Sequence, residues 1–276
     1  MTTALSPAPT DSRQLRADGR SERLSFGRVL RSELIKLTTL RSTWWSLGVT
    51  VALAVGIALL IASASRSFQG DYPAVAVIVS PMQFTMLVAG IFGAMAVTGE
   101  YSTGMIRSTL TAEPRRGAVL IAKALTVALL LIATTVVSSL IAILATAPIL
   151  GEHGIDWADA EASLVPLAYS LVAMASFGLL GLGFGFVIRN GAGAIAATVG
   201  VLFVLPIVLS LFAIGGDSWQ WVVDLGQYLP MSAAQVLTTP ASAQSDPDVG
   251  TAIVSLLAWP AATLVAGWLI LRTRDA

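Results

Sequence analysis

Six stretches of this chain stay apolar for longer than about 18 residues, the length at which a helix spans a bilayer. They fall at about 44–64, 75–97, 119–150, 164–188, 192–214 and 251–271. A soluble domain would have to bury such runs on every side, and 276 residues cannot build a core that large. Charged residues are 12% of the chain, against about 25% in soluble domains. A transmembrane barrel needs short segments of alternating polarity, and these runs do not alternate. The predicted fold is all-α: a polytopic membrane protein with six transmembrane helices over residues 43–276.

Charge placement orients the spans. Fifteen of the sixteen Lys and Arg residues fall on one side of a six-span arrangement, and only Arg66 falls on the other. The fifteen are Arg13, Arg16, Arg20, Arg23, Arg28, Arg31, Lys36 and Arg41, then Arg107, Arg115, Arg116 and Lys123, then Arg189, and finally Arg272 and Arg274. Positive loops stay inside. Both termini and the loop Thr98–Arg116 are therefore expected in the cytoplasm of a cell-membrane protein. The loop 151–163 is acidic and expected outside. Lys123, near the start of the third run, is expected to snorkel to the headgroups.

The first 43 residues are polar and Arg-rich, without the apolar core and small-residue site of a signal peptide. Residues 1–24 read as a disordered cytoplasmic tail. Residues 25–42 read as an interfacial amphipathic helix, with Ser25 as its cap. Phe26, Val29, Leu30, Leu34, Leu37 and Leu40 share roughly 140° of arc, with Arg28, Arg31 and Lys36 off that stripe. Glu33 projects near the centre of the stripe. It pairs with Lys36 as a surface ion pair, or it reaches the loop after the second span.

Further on, Arg189-Asn190-Gly191 leaves room only for a tight hairpin between the fourth and fifth spans. Gly181 and Gly185 form a small-xxx-small pair that permits close packing. Pro81, Pro166, Pro206 and Pro260 are expected kinks. Within 215–250, two short helices, Trp219 to Leu225 and Met231 to Leu237, either dip into the outer leaflet or fold as an external loop.

Catalytic patterns are lacking. There is no cysteine, no P-loop, and one histidine, His153. It could join Glu152 and Asp156 at a metal, but a solvated loop histidine is the expectation, so no metal and no cofactor are expected in this chain. Nucleic acid is not an expected partner. Apart from Lys123, the runs hold no ionisable side chain of the kind ion-coupled transporters need. Energy for transport would then come from a partner. Met82, Gln83, Thr85 and Met86, with Thr135, Ser138 and Tyr169, are mildly polar or adaptable. They bond their own helices and neighbours, or they line a path for an amphipathic substrate.

The loop after the second span carries a pattern. Glu100, then Gly104-Met105-Ile106-Arg107, then Leu110, Pro114 and Arg116, resembles the coupling segment of type 2 ABC transporter permeases, in the same place between spans two and three. Ser32-Glu33-Leu34-Ile35-Lys36-Leu37, followed by Arg41-Ser42-Thr43-Trp44-Trp45, is similar to that family's interfacial helix and first-span start. The resemblance implies a bacterial permease subunit, in an exporter, that pairs with a second permease, a copy or a relative. It also implies two separate P-loop ATPase subunits that bind ATP and Mg. The loop would hold the coupling helix. The alternatives are a secondary transporter or channel, or a non-transporting membrane protein such as an immunity-type subunit.

Overall fold

The computed structural model describes residues 25–65, 73–113, 115–151, 154–239 and 248–273, and these are mostly helical, with no strand among them. Helix α1 (Phe26–Thr39) precedes α2 (Arg41–Ser65), the first span. The second span has two pieces, α3 (Ala74–Val79) and α4 (Met82–Thr103), because Pro81 has no N–H to continue the ladder. A short α5 (Met105–Ala112) leads into α6 (Arg116–Leu150) and then α7 (Ala160–Ile188). The fifth span is α8 (Gly191–Val199), a wide-turned stretch Gly200–Val204, and α9 (Leu205–Leu211). In that stretch the Leu205 N–H reaches back to Gly200 O, which absorbs the N–H that Pro206 lacks. Two short helices, α10 (Gln220–Leu225) and α11 (Pro230–Thr238), precede the last span, α12 (Val249–Thr273). Six segments are thus long and apolar enough to cross a membrane.

Helices α4 and α7 form the centre, and glycine lets them touch. A Cβ on Gly93 would sit 1.8 Å from Gly178 O, and one on Gly181 would sit 1.9 Å from Gly90 O. Gly185 meets Val97 in the same way, so both members of the small-xxx-small pair face α4. Helix α12 packs on α7, with Gly183 against Thr263. Helix α6 lies against α1, α2 and α7. The fifth span is peripheral: it buries Ala194, Thr198 and Leu202, while Val204, Ile207 and Leu211 remain exposed.

Several expectations need adjusting. The second span does not end near Val97, because α4 continues to Thr103. There Thr98 and Thr103 hydroxyls bond back to Ala94 O and Gly99 O of their own helix. The segment Thr98–Arg116 is therefore mostly helical, broken at Gly104. The stripe of α1 is divided: Val29 and Leu37 are buried with Glu33, while Phe26, Leu34 and Leu40 stay exposed. The two short helices form where expected. Helix α11 buries Pro230, Ala233, Ala234 and Leu237 and packs on α7 and α12, so it belongs to the bundle. Residues 1–24, Arg66, Pro114, Glu152, His153 and Arg274 lie outside the described residues.

Overpacking a tight helix contact costs about 1–3 kcal/mol. Gly181→Ala should therefore lower the unfolding midpoint in detergent clearly. Gly56→Ala, where an added Cβ meets nothing within 4 Å, should not. Equal midpoints for the two variants would refute close α4–α7 packing.

Candidate functional site

At the end of the bundle that carries α1 and α5, three helices bring four charges together. Lys123, two turns into α6, donates to Glu33 Oε2 at 2.5 Å and to Glu100 Oε1 at 2.7 Å. Lys36 donates to Glu33 Oε1 at 2.7 Å and to Glu100 Oε1 at 3.1 Å. Its third contact is Thr109 Oγ1 on α5, at 3.1 Å. Thr109 in turn donates to Met105 O. Lys123 and Glu33 are each 1% exposed and Glu100 is 4% exposed. Two ammonium and two carboxylate groups cancel in net charge, which is what allows them out of water together.

Each charge answers to the others. Burial pushes the Glu33 carboxyl up, but the charges and hydrogen bonds of Lys123 and Lys36 outweigh it and hold it below the usual range. Burial likewise pulls the Lys36 ammonium down, and Glu33 with Glu100 more than offsets this and holds it above its usual value. One carboxylate oxygen, Glu100 Oε2, is buried with no hydrogen-bond partner among the described residues. Lys36 is the one member that also touches α5, so it ties α1, α4 and α5 at a single atom.

Lys123 therefore does not snorkel. Its ammonium turns into the protein because two buried carboxylates wait there. Glu33 and Lys36 do pair, but inside this cluster rather than on the surface. Glu100 pairs with the lysine of α1 and with Lys123, while Arg107 stays exposed. The ionisable inventory of the spans is correspondingly larger than the apolar runs implied, since Glu100 sits within α4.

The remaining residues of the coupling segment have distinct places. Gly104 adopts φ 73 with open space around it, so it serves the turn from α4 into α5. Helix α5 buries Ile106, half-buries Leu110, and leaves Met105 exposed. Glu113 is extended, as the residue before a proline should be, and accepts from Arg115 Nε at 2.9 Å. Arg116 turns inward, where it donates to Leu271 O at the end of α12.

The expected substrate-path residues separate into two groups. Met82, Thr85, Thr135 and Ser138 line one cavity of about 20 Å³ together with Thr50, Ser170 and Met174. That is room for one water and not for a solute. Its hydroxyls bond largely to their own backbones, as at Thr135 and Ser170. Met86 sits in the apolar core, Tyr169 is half-buried and Gln83 is exposed. Among the described residues no three His, Asp or Glu side chains gather as a metal site would need.

Thr109 is a participant that the sequence pattern did not single out, and Lys123 was singled out with another destination. A signal for the destination of Lys123 existed: Glu33 and Lys123 are lone ionisable residues that each stand where an apolar one is expected. Buried charges must pair.

The bundle is thus that of a polytopic helical membrane protein, with its buried charges gathered beside one short helix between spans two and three. The family described as ABC-2 family transporter protein matches residues 37–276, and the chain belongs to that family: it is a permease subunit of an ABC transporter. No curated protein is similar enough in sequence to match.

Removing one partner from a buried ion cluster costs about 3–5 kcal/mol. Lys123→Met should destabilise by that order, and adding Glu33→Gln should restore much of the loss. Additive losses in the double variant would refute the pairing. Glu33 has a lower pKa folded than unfolded. Its contribution is full above the ordinary value of 4.5 and is lost as pH falls through the folded value. Acid titration of the unfolding midpoint should show a shallower decline in Glu33→Gln than in the parent.

Proposed function

We propose that this permease is driven by ATP hydrolysed in separate P-loop ATPase subunits, and that α5 is where their motion enters. The single observation that carries this is Lys36. It reaches from α1 to Thr109 on α5 and to Glu100 on α4, inside a cluster that also holds Lys123 of α6. A push on α5 is therefore felt by α1 and by the second and third spans without any bond to ATP in this chain. ATP and Mg belong to the partner. The exposed face of α5, with Met105, Arg107 and Ser108, is the surface offered to it.

The positive-inside asymmetry supports placing α5 and both termini in the cytoplasm of a bacterial cell membrane. The exposed apolar side of the fifth span suits lipid or a second permease subunit, a copy or a relative. Export is the expected direction. The substrate path would run along Met82, Thr85, Thr135 and Ser138 once α6 parts from α4. Gln83, Met86 and Tyr169 complete the adaptable surface around it.

Tests follow from the coupling role. The permease should co-purify with a P-loop ATPase, and Glu100→Ala should leave that complex intact while abolishing the permease's effect on ATP hydrolysis. Normal regulation of hydrolysis by Glu100→Ala would overturn the role of the cluster. Flux through the chain in ATPase-free liposomes, driven by a proton or Na⁺ gradient, would overturn the ATP-driven account. Because the chain has no cysteine, Ser108→Cys and Ala160→Cys, both at exposed positions, can be labelled singly. Ser108→Cys should react from the cytoplasm and Ala160→Cys from outside.

A further inference from the structure

The carbonyls of Ile270 and Leu271 lie in the last described turn of α12 (Val249–Thr273). Each accepts from an arginine of another element. Arg116, at the first turn of α6, donates Nη1 to Leu271 O. Arg189, in the turn between α7 and α8, donates Nη2 to Ile270 O at 3.2 Å. The Arg189 guanidinium carbon lies 5.3 Å from the centre of the Tyr101 ring, one residue after Glu100 on α4. The Tyr101 hydroxyl is buried with no hydrogen-bond partner among the described residues.

Backbone geometry singles out Arg189 again. Among the described residues it is the non-glycine residue with positive φ, at 58°. Glycine would fit that turn with less strain, so the large cation is there for what its side chain reaches.

We propose that Arg189 and Arg116 are positioning residues that latch the end of the last span, α12, to both flanks of α5. Tyr101 lies three residues before Gly104 and meets Arg189. Arg116 lies just beyond the far end of α5 and holds α12 directly. A displacement of α5 therefore reaches α12, and through Gly183 and Thr263 it reaches α7. This route shares no residue with the ion cluster, although both engage α4 and α6. The empty Tyr101 hydroxyl gives Arg189 an acceptor to move to when Ile270 O is pulled away. The proposal rests on the coupling role of α5 given above.

The test uses the full chain with its co-purifying ATPase, and also the permease alone. Spin labels go on Ser108→Cys in α5 and Thr273→Cys at the end of α12, both exposed. Pulsed dipolar spectroscopy should give one narrow distance in the permease alone. That distance should persist in the complex with ADP and with a trapped ATP state. Arg116→Gln with Arg189→Gln should broaden it and remove the single peak, while Arg189→Lys should restore part of it. An unchanged narrow distance in the double Gln variant would overturn the latch. A second label pair, Ser108→Cys with Ala160→Cys at the exposed start of α7, reports on α5 against the far end of the bundle. If that distance ignores nucleotide while the double Gln variant still broadens the first, the coupling role of α5 fails and the latch stands.

Discussion

Four charges taken out of water at one end of this bundle can persist only as a set. Glu33 and Lys36 come from α1, Glu100 from α4 and Lys123 from α6, and each carboxylate bridges both lysines. Removing any one leaves an uncompensated charge where the surroundings cannot solvate it. The positions of α1, α4 and α6 at this end are therefore fixed to one another by electrostatics, and α5 is fixed to them through Thr109. Apolar packing alone is non-directional and would allow sliding. The ion cluster permits discrete arrangements only, which is the property a force-transmitting joint requires.

Away from that joint the structure uses a different device. Helices α4 and α7 approach through Gly90, Gly93, Gly178 and Gly181, with backbone against backbone. In a lipid surrounding, such close contact replaces the hydrophobic drive that holds soluble helices together. Helix α12 joins the same pair through Gly183 and Gly267. The bundle thus has a tightly packed group, α4, α7 and α12, and a flanking group, α1, α2 and α6. The ion cluster and the Arg116 contact on α12 join these groups at the α5 end.

Much of this was legible in the sequence, for a physical reason. A bilayer forces apolar runs of helix-spanning length, so the six spans and the all-α class could be read from residues alone. Gly104 and Pro114, both in the quoted pattern, stand at the limits of α5, because glycine admits the left-handed turn and proline keeps Glu113 before it extended. Lys123 was misread because a lysine near the end of a span has a cheaper local explanation, while its partner Glu33 lies 90 residues away in the chain. The acceptors of Arg116 and Arg189 are backbone carbonyls, which carry no sequence signature at all. Gly181 and Gly185 were visible as a pair on one helix. Their partners on α4, Gly90 and Val97, became visible only in three dimensions. The cavity beside Thr85 and Ser138 shows the converse, since residue types that suit a substrate path enclose no more than one water in this state.

Hydrogen–deuterium exchange on the Lys123→Met variant tests the central claim most directly. The substitution touches α6 alone in sequence, and its readout is where protection is lost. If the cluster is the joint, exchange rises together in α1, at the end of α4 and in α5, while the α7–α12 contact keeps its protection. If the extra exchange is confined to α6 around residue 123, the four charges do not join these helices, and the account is contradicted.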